Sequence, residues 1–114
     1  MIRYVYVAGP ISSHPMHRTH DAIKAADALL AVGFAPYVTH TSVVWDMISP
    51  KGYEEWMSLD FAWVERCDAL VRIPGESKGA DREVEHARAK GIPVFFGVEE
   101  IIAWSLAKGK AAKS

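Results

Sequence analysis

The sequence predicts a single-domain, three-layer α/β/α protein built on an open, mostly parallel sheet of four to five strands, flavodoxin- or Rossmann-like in plan. Three observations predict it. Short apolar, β-branched runs alternate with amphipathic segments of helical length. The connections between them are short and rich in Gly and Pro. The 114 residues, 50% hydrophobic and 24% charged, are enough for one core and too few for two. We therefore expect one domain over residues 1–108, followed by a flexible Lys- and Ala-rich tail at 109–114.

The first strand is expected at Ile2 to Ala8, closed by Gly9-Pro10; its near-continuous hydrophobicity suits a central strand covered on both faces. A polar loop leads into a helix from about Thr19 to Val32, with Ala22, Ile23, Ala26, Leu29 and Leu30 at helical spacing and Gly33 as its stop. Phe34 to Val38 reads as a second strand, and Pro36 inside it argues for an edge position. Thr39 to Gly52, broken by Pro50 and Gly52, has no sustained period and reads as a mobile or ligand-covering loop, with room for a short helical turn. From Tyr53 to Arg66 a helix is expected with Trp56, Leu59, Ala62, Trp63 and Arg66 along one stripe and Asp60 beside it. Cys67 to Ile73 is the third strand, Ala80 to Lys90 a helix stopped by Gly91, Ile92 to Phe96 the fourth strand, and Glu99 to Ala107 the last helix.

Composition narrows the function classes. A formal net charge of −1 and a pI near 6.5 give no overall attraction to a nucleic acid polymer or an acidic membrane. One cysteine, Cys67, allows neither an intrachain disulfide nor a cysteine metal cluster, which with a start that reads as strand rather than signal peptide leads us to expect a cytoplasmic protein. No apolar run approaches membrane-spanning length. His14, His17 and His20 are spaced by three, but no accompanying ligand motif makes them a metal site, and we expect neither metal nor cofactor.

In such a sheet the loops after the strands gather along one edge, bringing together Gly9-Pro10, His40, and the stretch from Ser77 to Glu83. Glu83 stands near the first turn of a helix on that edge. A carboxylate there is either a partner of the helix dipole or a nucleophile or base. Ser77, Gly79 and Ala80 leave room for a substrate or phosphate to approach the helix start. His40 is either a substrate contact or a loop histidine bonded to backbone.

Three blocks, Tyr4-Val-Tyr-Val-Ala-Gly-Pro-Ile-Ser12, Asp60-Phe-Ala-Trp-Val-Glu-Arg-Cys-Asp68 and Ser77-Lys-Gly-Ala-Asp-Arg-Glu-Val-Glu-His-Ala87, followed by Gly91-Ile-Pro-Val94, stand in an order that resembles the nucleoside 2-deoxyribosyltransferase-like superfamily. That superfamily includes the 2′-deoxynucleoside 5′-phosphate N-hydrolases, and the nearest likeness is to its small uncharacterised bacterial and phage branch. The resemblance implies cleavage of an N-glycosidic bond in a nucleoside or nucleoside 5′-monophosphate, by hydrolysis or by transfer to another base. Glu83 would be the nucleophile that forms a glycosyl-enzyme, Tyr6 its hydrogen-bonded orienter unless it is a core aromatic, and Asp60 the second carboxylate that helps the base leave unless it is a solvated helix residue. Ser77 stands where the hydrolases carry a phosphate-binding serine. Gly9, Pro10, Ile11 and Ser12 would complete a phosphate or sugar pocket, with Gly79 and His40 nearby. Asp68, at a strand start, is expected to have a structural cap or loop role. The family's completion of pockets across subunits implies a homo-oligomer, dimer or higher.

The chain also departs from the pattern. The hydrolases' loop arginine is missing, leaving Arg82 as either its substitute or an ordinary surface arginine. Glu85 replaces a frequent glycine two residues after the nucleophile and either crowds the site or faces solvent. No residue in the tail, where Trp104 and Ser105 stand out, matches the polar group that transferases lend to a neighbouring subunit. These departures suit an alternative, a nucleotide-derivative binding or sensing module on the same fold. A phosphoribohydrolase of the Pro-Gly-Gly-x-Gly-Thr-x-x-Glu type is a looser match to Pro74–Glu83 and implies similar chemistry.

Overall fold

The computed structural model describes residues 2–11 and 14–113. Four parallel strands, β1 (Tyr4–Ala8), β2 (Ala35–Val38), β3 (Ala69–Arg72) and β4 (Val94–Phe96), form one sheet in the order β2-β1-β3-β4. Five helices accompany them among the described residues: α1 (Pro15–Ala31), α2 (Ser42–Ile48), α3 (Tyr53–Val64), α4 (Lys78–Ala89) and α5 (Val98–Lys113). The sheet is all-parallel, and β2, the strand that carries Pro36, is an edge strand as its sequence demands.

The two sides of the sheet follow from strand alternation. Val5 and Val7 on β1 and Ala69 and Val71 on β3 face one way and pack with Ala22, Leu29, Phe34, Phe95 and Ile101, beneath α1 and α5. Tyr6, Ala8 and Leu70 face the other way, against Val64 of α3 and Ala80, Val84 and Ala87 of α4. Both faces are covered, which is why β1 reads as an unbroken apolar run.

Two expectations are corrected. The segment after β2 is a 3₁₀ turn, Thr39–Thr41, running directly into α2; Val44, Trp45, Met47 and Ile48 nevertheless remain 50–81% exposed, so α2 lacks the buried stripe by which a sequence betrays a helix. On α3 the inward stripe is Met57, Asp60 and Val64, not the Trp56 to Arg66 line. Ala62 and Trp63 are exposed, Trp63 covering Tyr37 with its ring, and Asp60 lies in the middle of the buried face. A search for apolar periodicity is displaced when a carboxylate occupies a central inward position.

The sheet order places a switch between β1 and β3, from which the chain departs in opposite directions. The loops there interlock. Ile73 donates its N–H to the Ala8 carbonyl at 2.9 Å, and a Cβ on Gly9 would stand 2.2 Å from Ile73 Cγ1. Gly75, at φ +122°, lets the next turn pass close to Pro10.

Candidate active site

α4 presents Ala80, Glu83, Val84 and Ala87 inward, a spacing of three, four and seven that makes Glu83 part of the core-facing stripe. α3 presents Asp60 from the other side, and Tyr6 rises from β1 between them. The three sequence-predicted residues therefore meet over one face of the sheet, with exposures of 4% for Glu83, 7% for Asp60 and none for Tyr6. Asp60 is no solvated helix aspartate: its Oδ1 accepts the Thr39 hydroxyl at 2.9 Å.

Two carboxyl groups in hydrogen-bonding reach of each other away from water cannot both ionise at modest cost. Burial, reinforced by Asp60, pushes the Glu83 carboxyl up to about 9, against the opposing pull of the Tyr6 hydroxyl and the Arg72 guanidinium. Burial also raises Asp60, while Glu83 and Thr39 draw it back. Ionising both together is disfavoured, so the pair favours keeping a proton, on Glu83 first. The buried Tyr6 hydroxyl is held neutral, well above its ordinary value, first by burial and then by Glu83 and Asp60. Glu83 and Thr39 approach it without closing a hydrogen bond of normal geometry.

A second group of predicted residues sits at the loop edge. Gly9 and Pro10 are buried and Ile11 half-buried, while Ser12 lies outside the described residues. His40, fully buried, has Nε2 3.0 Å from the Pro10 carbonyl, tying the end of β2 to the loop after β1; burial lowers its pKa and keeps it neutral. Ser77 is the N-cap of α4, its Oγ accepting the Ala80 N–H at 3.1 Å, which leaves its own hydroxyl hydrogen free to donate. A Cβ on Gly79 would stand 3.5 Å from both Met57 Sδ and Tyr53 Oη, so this glycine faces α3.

The residues that departed from the family pattern are engaged elsewhere. Arg82 forms a two-pronged pair with Glu54 at 2.9 and 3.1 Å and lies over the Tyr53 and Phe61 rings. Glu85 is exposed and pairs with Arg88 at 3.2 Å, so it does not crowd Glu83. Asp68 Oδ2 accepts the Arg3 and Tyr4 N–H groups at 2.9 Å each, capping the start of β1. Among the described residues no three His, Cys, Asp or Glu side chains converge as metal ligands would.

Thr39, Tyr37 and Arg72 escaped the sequence reading. Thr39 gave no local signal, since only the fold brings it to Asp60. Tyr37 stacks between Tyr6 and Trp63, at 5.7 and 5.0 Å, and its hydroxyl is raised by burial and then by Asp60. Arg72 was visible as a cation inside an apolar strand. Two cavities, of about 450 Å³ between α3 and α4 on their outer side and about 390 Å³ between α1 and the loops after β3 and β4, are lined by other residues than the carboxyl pair.

A family model described as a domain of unknown function (DUF4406) matches residues 3–96. Comparison with curated protein sequences finds no match. Among solved structures, a 2-desoxiribosyltransferase from Leishmania mexicana is similar at TM-score 0.60 and 21% identity, over 81% of this chain and 61% of that one. The chain thus spans about three-fifths of the length of that protein. A 2-deoxyribosyltransferase from Bacillus psychrosaccharolyticus is similar at TM-score 0.58 and 20% identity, over 80% of this chain and 69% of that one. At these identities the likeness is one of fold. No helix among the described residues is long and apolar enough to cross a membrane.

Proposed function

The chain belongs to the family described as a domain of unknown function, DUF4406; on that footing we propose that it breaks the N-glycosidic bond of a nucleoside or nucleoside 5′-monophosphate. The sugar passes to Glu83 and then to water or to a second base. The observation that carries the reading is the burial of Asp60 and Glu83 against each other, which disfavours ionising both at once. The shared fold with two deoxyribosyltransferases supports it.

The chemistry needs one ionised and one protonated carboxyl. Burial favours the proton on Glu83 in the empty site; its passage to Asp60 within the pair frees the Glu83 carboxylate, which forms a bond to the anomeric carbon as the bond to the base nitrogen breaks. The electron pair of that bond leaves with the base, which takes the Asp60 proton. Asp60, now ionised, removes a proton from water as the water oxygen attacks the anomeric carbon; the ester opens and the pair regains its proton. Tyr6, neutral and without a closed hydrogen bond, is available to donate to Glu83 and fix its orientation. Ser77 and the buried turn at Gly9-Pro10 are assigned to the sugar or phosphate end, the Ser77 hydroxyl hydrogen serving as donor.

The pair is nearly closed to solvent, so substrate entry requires a covering element to move. We assign this to α2, beyond the buried and bonded Thr39 and His40, because α2 buries none of its residues and gives up little apolar contact by shifting. Its exposed Val44, Trp45, Met47 and Ile48 also support the homo-oligomer implied by the resemblance. Incubation with a panel of nucleosides and 5′-monophosphates, with released base followed by chromatography, tests the reading. Release that disappears in a folded Glu83→Ala variant supports it. Tight binding without release favours the binding-module alternative, and adding an acceptor base separates transfer from hydrolysis.

A further inference from the structure

β3 reads Ala69-Leu-Val-Arg72, three apolar residues and then a guanidinium that is only 9% exposed. Burying an arginine is costly unless its donors find partners, and here three bonds hold it. Nη1 donates to the Ile73 carbonyl, and Nη2 donates to the Gly75 carbonyl at 2.8 Å and to Asp81 Oδ1 at 3.1 Å. One side chain thus joins the end of β3, the Pro74-Gly75 turn and the first turn of α4. Arg72 is two residues beyond Leu70, which pairs with Tyr6, so it emerges on the same face of the sheet as the carboxyl pair.

We propose that Arg72 is a positioning residue for that pair: it fixes the turn and helix start that carry Glu83 and presents a fixed positive charge to the Glu83 carboxyl. The inference rests on the proposed function for its meaning, but its geometry stands independently. Asp81, its carboxylate partner, is a largely exposed side chain and neutralises it only from the solvent side. The remaining groups facing Glu83 are Tyr6 from β1 and Asp60 from α3, with Tyr37 of β2 and Thr39 behind them. All of these are acidic or neutral. The pull of Arg72 on Glu83 therefore opposes both burial and Asp60, and an arginine can both bridge three acceptors and remain charged, which lysine cannot do in the same geometry.

The test is a titration of the Glu83 carboxyl by ¹³C NMR on protein labelled at glutamate side chains, with the signal assigned by Glu83→Gln. In Arg72→Gln the midpoint is expected to move upward by about one unit, a tenfold gain in proton affinity, while Asp81→Asn moves it much less. Arg72→Lys, which keeps a charge but not the three bonds, is expected to leave a smaller shift and to speed amide exchange at Ala80 and Asp81, whose N–H groups bond to Ser77. An unchanged midpoint in folded Arg72→Gln overturns the proposal. If that variant does not fold, an unchanged midpoint and unchanged exchange in Arg72→Lys overturn it instead. A midpoint that moves in a protein releasing no base from any substrate sinks the proposed function and leaves Arg72's role standing.

Discussion

Asp60 and Glu83 meet between α3 and α4, each more than nine-tenths buried, with the Thr39 hydroxyl on Asp60 and the Tyr6 hydroxyl beside Glu83. The unequal company of two otherwise similar carboxyls makes them unequal acids: Asp60 has a fixed donor, while Glu83 is the one pushed far above its ordinary value.

Replacing Glu83 by Gln keeps the shape and removes the nucleophile. Base release is expected to fall by at least about 10³-fold, as for loss of a reacting group, while circular dichroism stays that of the wild type. A variant that retains more than a tenth of the activity would overturn the assignment of Glu83.

The same variant reports on stability. Burial and the neighbouring Asp60 raise the folded-state pKa of Glu83 to about 9, from an ordinary 4.5. The contribution of this group is therefore fully present below its unfolded value and is lost as pH rises through the folded one. Between these limits the wild type forfeits stability that Gln does not, so urea denaturation at pH 8 is expected to show Glu83→Gln more stable by at least about 1 kcal/mol. The gap should close near pH 4.

Activity should depend on pH as a bell. At low pH both carboxyls are protonated and no nucleophile remains; above about 9 both are ionised and no proton is left for the base. Initial rates of base release across this range check the shape. Thr39→Val removes a donor that draws Asp60 down, so the acid limb is expected to shift to higher pH. Stability falls by about 1–3 kcal/mol for the orphaned acceptor.

Gly9→Ala brings a Cβ to 2.2 Å from Ile73 Cγ1. Neither the buried turn nor the β-branched side chain has room to retreat, and a cost of about 1–3 kcal/mol is expected from thermal unfolding. Ile73→Ala in the same chain should recover part of it; a purely additive double mutant would show that the contact is not the cause.

The exposed side chains of α2 give a last expectation. If Met47 and Ile48, 74% and 81% exposed, are covered in an oligomer, light scattering should find a mass above one chain, and a Met47→Lys/Ile48→Lys double variant should lower it to one. A wild-type monomer at all concentrations would remove the homo-oligomer from the proposal.

The sequence by itself determined the layers and the order of elements. β1 is apolar on both faces because both are covered, Pro36 restricts β2 to an edge, and Glu83 stands near a helix start on the loop edge of the sheet. These are local consequences of strand alternation and helical pitch. Tertiary structure decided the rest. It turned Asp60 from the flank of a stripe to its centre, found Thr39 for it across 21 residues of chain, engaged Arg82 with Glu54 and sent Glu85 outward to Arg88. It also made Arg72 a bridge between a strand end and a helix start. Polar side chains are placed by partners distant in sequence and by the removal of water around them, and neither leaves a period for the sequence to show.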